Sequence, residues 1–154
     1  MLEVGTKVND FSLLDSEGNI HTLSEHLGKK VVVYFYPKDS TPGCTTQACS
    51  FRDNYHEINR LNVVLYGISP DDSNSHIKFS EKYNLPFTLL SDPDHKVSKY
   101  FGAYGKKSLY GKIFDGMIRS TFIIDETGKI EKVWKKADAK TNADAVVKYL
   151  NTVK

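Results

Sequence analysis

Residues Val31-Val32-Val33-Tyr34-Phe35-Tyr36 form a continuous run of β-branched and aromatic side chains with no polar residue among them. A strand with one wet face alternates apolar and polar residues, so an unbroken run of this kind fits a strand covered on both faces. Pro37 ends it, because proline fixes φ and brings no N–H to the ladder. A sheet covered on both sides needs helices above and below. This one segment therefore points to a layered α/β architecture.

The rest of the chain fits that frame. Further strand-like runs lie at 62–69 (Val63-Val64-Leu65-Tyr66), 87–90 and 119–125 (Ser120-Thr121-Phe122-Ile123-Ile124 at its centre). Asp125-Glu126-Thr127-Gly128 then turns into a partner at 129–134. Near the start, Phe11-Ser12-Leu13-Leu14 and Ile20-His21-Thr22-Leu23 flank a polar turn, which reads as an N-terminal β-hairpin extension. Helical spacing falls between these runs. The longest helix is expected over 43–61, with Ala48, Phe51, Tyr55 and Ile58 on one face. A second follows Asp71-Asp72-Ser73 and contains Ile77, Phe79 and Tyr83; a short third spans 95–101. The last covers 142–153 with Ala143, Val146, Val147 and Leu150 inward. The expected fold is an α/β sandwich with a central mixed sheet flanked by helices and joined by right-handed crossovers. Residues 102–118 hold four of the ten glycines and are expected to form a long loop, functional or mobile.

With 154 residues and no internal repeat or linker, residues 1–154 read as a single domain that can bury an adequate core without a staple. Lys plus Arg is 21 against 19 for Asp plus Glu, a balance of +2 that gives no electrostatic reason to expect nucleic acid or an anionic membrane as partner. The first residues lack a basic segment followed by an apolar run, and no stretch approaches the roughly 20 apolar residues that span a bilayer. A cytoplasmic, reducing compartment is expected. There, a close pair of cysteines is more often catalytic or metal-binding than a permanent cross-link.

The pair is Cys44 and Cys49, within Thr41-Pro42-Gly43-Cys44-Thr45-Thr46-Gln47-Ala48-Cys49. Pro37, Pro42 and Gly43 mark a loop after the central strand, and helical spacing begins at about Cys44. Unpaired N–H groups and the positive end of the helix dipole favour an anion there, and the nucleophilic form of cysteine is the thiolate. Taken alone, Cys44 reads better as a small buried hydrophobe near the Ala48–Phe51–Tyr55 stripe. Cys49 changes the balance. Five residues apart on a wound helix, the two Cα atoms are roughly 8.6 Å apart, beyond the about 7 Å that a disulfide allows. A static staple therefore does not fit a wound helix. What remains is a disulfide that cycles with local unwinding, or a zinc site using Cys44, Cys49 and His56, for which the spacing is poor and a fourth ligand is lacking.

Pro37-x-x-x-Thr41-x-x-Cys44 resembles the active-site pattern of peroxiredoxins, thiol peroxidases on a thioredoxin-like fold. The longer Tyr36-Pro37-Lys38-x-x-Thr41-Pro42-Gly43-Cys44-Thr45-x-Gln47-Ala48-Cys49-x-x-Arg52-Asp53 is similar to the PrxQ branch, also called bacterioferritin comigratory protein. Gly67-Ile68-Ser69, Leu89-Leu90-Ser91-Asp92 and the stretch from Gly105 through Arg119 to Asp125 agree as well. The likeness weakens after Trp134, where residues 135–142 lack the family's Gly-His turn.

The resemblance implies roles. Cys44 would be the peroxidatic thiolate, converted to a sulfenic acid by hydrogen peroxide or an alkyl hydroperoxide. Cys49 would be the resolving cysteine that gives an intramolecular Cys44–Cys49 disulfide. Arg119 would stabilise the thiolate and the developing charge on the leaving oxygen. Thr41 would accept from the peroxide and donate to the thiolate, and Pro37 would shield the site. The Gly43 and Cys44 N–H groups would hold a peroxide oxygen, and Gln47 would orient the arginine. The resemblance further implies no cofactor or metal, thioredoxin or a similar dithiol as reductant, and a monomer. The five histidines show no evident partner, and Tyr34, Phe35, Tyr36 and Trp134 read as packing. The alternative is a thiol-disulfide oxidoreductase or electron carrier on the same fold. Such proteins use Cys-x-x-Cys where this chain has Thr41-x-x-Cys44, and they place a proline before the facing strand, whereas none follows Pro93.

Overall fold

The computed structural model describes residues 1–153. In chain order the strands are β1 (Ser12–Asp15), β2 (Ile20–Thr22), β3 (Val31–Phe35), β4 (Val64–Ser69), β5 (Thr88–Ser91), β6 (Tyr104–Leu109), β7 (Lys112–Met117), β8 (Ser120–Ile124) and β9 (Ile130–Trp134). The helices are α1 (Pro42–Arg60), α2 (Ser73–Tyr83), α3 (Lys96–Phe101) and α4 (Asn142–Thr152). Seven strands make one mixed sheet in the order β2-β1-β5-β4-β3-β8-β9. β3 runs parallel to β4 (Val31↔Val64 to Phe35↔Ile68) and antiparallel to β8 (Val31↔Ile124 to Phe35↔Ser120). The N-terminal hairpin joins the same sheet through antiparallel pairing of β1 with β5.

All five residues of β3 are buried, and their alternation sorts the core into two layers. Val32, Tyr34 and Tyr36 face α1, α2 and α4, where Phe51, Ile58, Phe79, Val146 and Leu150 pack. Val31, Val33 and Phe35 face the opposite side with Phe101, Phe122 and Ile124. Tyr34 stacks on Phe51 with ring centroids 4.6 Å apart. Each such side chain contributes about 1.5–3 kcal/mol by leaving water. Gly67 of β4 is required by this packing, since a Cβ there would come within 2.8 Å of the Tyr34 ring. Among the described residues no helix is long and apolar enough to cross a membrane.

One expectation changes. Residues 102–118 are not an irregular loop: β6 and β7 form a separate antiparallel hairpin, turning at Tyr110 and Gly111, both with positive φ (51° and 77°). Its strands are largely solvent-exposed, so no buried face imposed an alternating pattern, and Leu109, Tyr110, Ile113 and Phe114 stay exposed. In α2 the fully buried positions are His76 and Phe79, while Ile77 is turned outward.

Candidate active site

After β3, Tyr36 adds one more bond to the parallel ladder, its N–H donating to Ile68 C=O at 3.1 Å. Pro37 follows, and the chain reverses through Ser40, which has a left-handed φ of 64°. Thr41 is the N-cap of α1 with extended backbone (φ −82°, ψ 154°), and Pro42 takes the first helical position. There its fixed φ suits the helix and its missing N–H costs nothing. Cys44 is therefore in the first turn. The Thr41 side chain makes no capping bond, so the Gly43 and Cys44 N–H groups at the helix start have no side-chain acceptor there. The Thr41 hydroxyl donates instead to Lys38 C=O at 2.7 Å. This differs from the expected donation to the thiolate.

Cys44 is 2 % exposed and Cys49 partly exposed; both are free thiols on one continuous helix. Arg119 reaches Cys44 from the residue just before β8. The pairing of Phe35 with Ser120 explains how: it places the residue before Ser120 beside the end of β3. Arg119 Nη2 donates to Cys44 Sγ at 3.3 Å and Nη1 to Gln47 Oε1 at 2.7 Å. Gln47 in turn donates through Nε2 to Asn142 Oδ1 at 3.3 Å, which also accepts from the Thr121 hydroxyl at 2.7 Å. Gln47, Thr121 and Asn142 are all buried, so the arginine is held by a polar chain inside the core. Arg119 also lines a cavity of about 410 Å³ together with Lys106, Lys107 and Lys136. A Cβ at position 43 would lie 3.1 Å from Arg119 Nη2, so glycine there gives the guanidinium its room. Burial holds the Tyr34 phenol well above its usual range, and the neighbouring Cys44 sulfur adds to the effect.

The structure thus brings Cys44, Arg119 and Gln47 together, puts Thr41 and Gly43 at the same helix start and Pro37 at the head of the loop, and sets Cys49 further along the helix. Cys44, Cys49 and His56 do not converge as metal ligands among the described residues. The reading of the histidines needs correction, because three have close partners. His76 Nδ1 lies 2.6 Å from Asp39 Oδ2, His21 Nε2 lies 2.7 Å from Asp15 Oδ2, and His26 Nε2 lies 2.6 Å from the Tyr66 hydroxyl. The Asp39–His76 contact spans 37 positions and follows no local spacing rule. Asp39, Asp71 and His76 also bring potential ligand atoms within 4.8 Å of one another, but hydrogen bonds within the group occupy them. Sequence reasoning missed Asp39, His76, Thr121 and Asn142. Only Asp39, inside the Pro37–Thr41 segment, carried a local signal.

The AhpC/TSA family model matches residues 4–133. Peroxiredoxin Bcp of Bacillus subtilis is 45 % identical over 153 residues, covering 99 % of this chain and 96 % of that one. Among solved structures, peroxiredoxin Q of Xanthomonas campestris superposes with a TM-score of 0.90 at 37 % identity, covering 99 % of this chain and 96 % of that one. The bacterioferritin comigratory protein of the same organism, studied for its alkyl peroxide reduction activity, gives 0.89 at 37 % identity, with 98 % and 96 % covered.

Proposed function

We propose that this chain, which belongs to the AhpC/TSA family and is a thiol peroxidase of the peroxiredoxin type on a thioredoxin-like fold, reduces hydrogen peroxide and alkyl hydroperoxides through Cys44. The observation that carries the assignment to Cys44 is its sulfur 3.3 Å from Arg119 Nη2 in the first turn of α1. A fixed cation and a helix start both stabilise negative charge that develops at this position. The thiolate attacks one peroxide oxygen. The O–O bond breaks, the leaving oxygen takes up a proton and departs as water or alcohol, and Cys44 becomes a sulfenic acid. Arg119 and the Gly43 and Cys44 N–H groups stabilise the charge that grows on the oxygens. Pro37 limits the access of water. The Cys49 thiol then attacks the Cys44 sulfur, water leaves, and the disulfide forms after the helix start unwinds.

The family works with a peroxide substrate and a thiol reductant. Here the reductant is thioredoxin or a similar dithiol, which returns two electrons and two protons to the cysteines by exchange. A resolving cysteine on the same helix removes the need for a second subunit, so the working unit is a monomeric single domain in the cytoplasm.

Turnover with thioredoxin, thioredoxin reductase and NADPH tests this reading. Wild type is expected to consume NADPH steadily with hydrogen peroxide and an alkyl hydroperoxide, and Cys44→Ser and Cys49→Ser not, although Cys49→Ser still removes one equivalent of peroxide. Steady turnover by Cys44→Ser would overturn the assignment. Turnover with glutathione but none with thioredoxin would overturn the reductant.

A further inference from the structure

Asp39 sits in the loop between Tyr36 and Thr41, is 4 % exposed, and takes no part in the chemistry just described. Its carboxylate is surrounded. Oδ1 accepts from the Tyr36 hydroxyl at 2.5 Å, and Oδ2 accepts from the Ser75 hydroxyl at 2.8 Å and lies 2.6 Å from His76 Nδ1. His76 is fully buried, and its Nε2 donates to Leu90 C=O at 3.2 Å. The Asp39 backbone N–H donates to Asp71 Oδ2 at 2.8 Å, and the same oxygen accepts from the Ser69 hydroxyl at 2.8 Å. A buried carboxylate is tolerated only when hydrogen-bonded on several sides. Here the bonds come from β3's end, the β4–α2 loop and α2, with His76 tied to β5. None comes from the α1 turn that carries Cys44.

The consequence follows from peptide geometry. The Asp39 N–H and the Lys38 C=O belong to one rigid planar group. The N–H end is fixed on Asp71, the next side chain is fixed by Tyr36, Ser75 and His76, and the C=O end accepts from the Thr41 hydroxyl at 2.7 Å. A hydroxyl has one proton and two lone pairs. With the proton committed to Lys38, Thr41 presents only lone pairs to the site, and a peroxide brings an O–H of its own.

We propose that Asp39 is a positioning residue: with Tyr36, Ser75 and His76 it pins the Lys38–Asp39 peptide so that the Thr41 hydroxyl meets the peroxide as an acceptor. The role rests on the peroxidase reading. Because its supports lie outside α1, the loop stays fixed while the Cys44 turn unwinds and rewinds.

The test compares two reactions of the reduced protein. Reaction of Cys44 with hydrogen peroxide requires the oriented hydroxyl, whereas alkylation by iodoacetamide requires only an accessible thiolate. Asp39→Ala is expected to slow the peroxide reaction by roughly tenfold or more, which is about 1.4 kcal/mol, and to leave alkylation unchanged. Asp39→Asn is expected to restore most of the rate, since its amide oxygen still accepts from the Tyr36 hydroxyl. Tyr36→Phe and Ser75→Ala each remove one support and are expected to give smaller losses, so the role stays testable if Asp39→Ala folds poorly. In a Thr41→Val background, Asp39→Ala is expected to cost nothing further. A wild-type peroxide rate in Asp39→Ala, an equal loss in alkylation, or full multiplication of the two effects would each overturn the role. A wild type inert toward peroxide would overturn the peroxidase reading itself, and this role with it.

Discussion

Arg119 ends in a planar fork whose two terminal nitrogens have separate tasks, one on Cys44 Sγ and the other on Gln47 Oε1. Gln47 is fully buried and bridges to Asn142, so the fork's angle is set by the core and not by solvent. Replacing Gln47 by Leu takes the acceptor from the partly buried Arg119 Nη1 and leaves Asn142 Oδ1 with the Thr121 hydroxyl alone, a loss on the order of 1–3 kcal/mol for a hydrogen bond to a charged group. Stopped-flow reaction of the reduced protein with hydrogen peroxide is expected to slow about tenfold in Gln47→Leu and much less in Gln47→Glu, which keeps the acceptor. An unchanged rate in Gln47→Leu would contradict the positioning of Arg119 by Gln47. At this scale the sequence was informative where residues are close along the chain. Thr41, Gly43, Cys44, Gln47 and Cys49 fall within one short motif. Asn142 lies 95 positions from Gln47, and His76 lies 37 from Asp39; such pairings exist only after the sheet has brought the segments together.

α1 holds both cysteines, and its two ends are secured differently. Beyond Cys49, Phe51 and Ile58 are fully buried against the sheet. The first turn has no side-chain cap and begins with proline and glycine, so it is the cheaper end to open. Bringing the two sulfurs together requires at least the first turn and a half to unwind. Amide hydrogen exchange is expected to show residues 45–49 losing protection on oxidation while residues 51–60 retain it. Equal protection of 45–49 in both states would contradict the unwinding step. The elements were legible in proportion to their burial. The β3 run announced a strand covered on both faces, and the structure buries all five of its residues. The β6–β7 hairpin stayed hidden because its exposed strands follow no period, and its glycines resembled those of a loop.

Across the whole molecule, the candidate site residues collect where the parallel strands β3 and β4 end, the place where open α/β sheets present their clefts. The antiparallel register of β8 on β3 then delivers Arg119 to that same edge, and the β4–α2 loop delivers Asp71 below it. Strand order and register could not be read from composition or periodicity, which is why the sequence named the arginine only through its resemblance to a family. The central claim is that Cys44 takes the oxidising oxygen and Cys49 removes it. Intact mass after one equivalent of hydrogen peroxide tests this most directly. Wild type is expected to lose two hydrogens, Cys44→Ser to stay unchanged on that timescale, and Cys49→Ser to gain oxygen. Rapid oxidation of Cys44→Ser, or a wild type that gains oxygen without forming the disulfide, would contradict it.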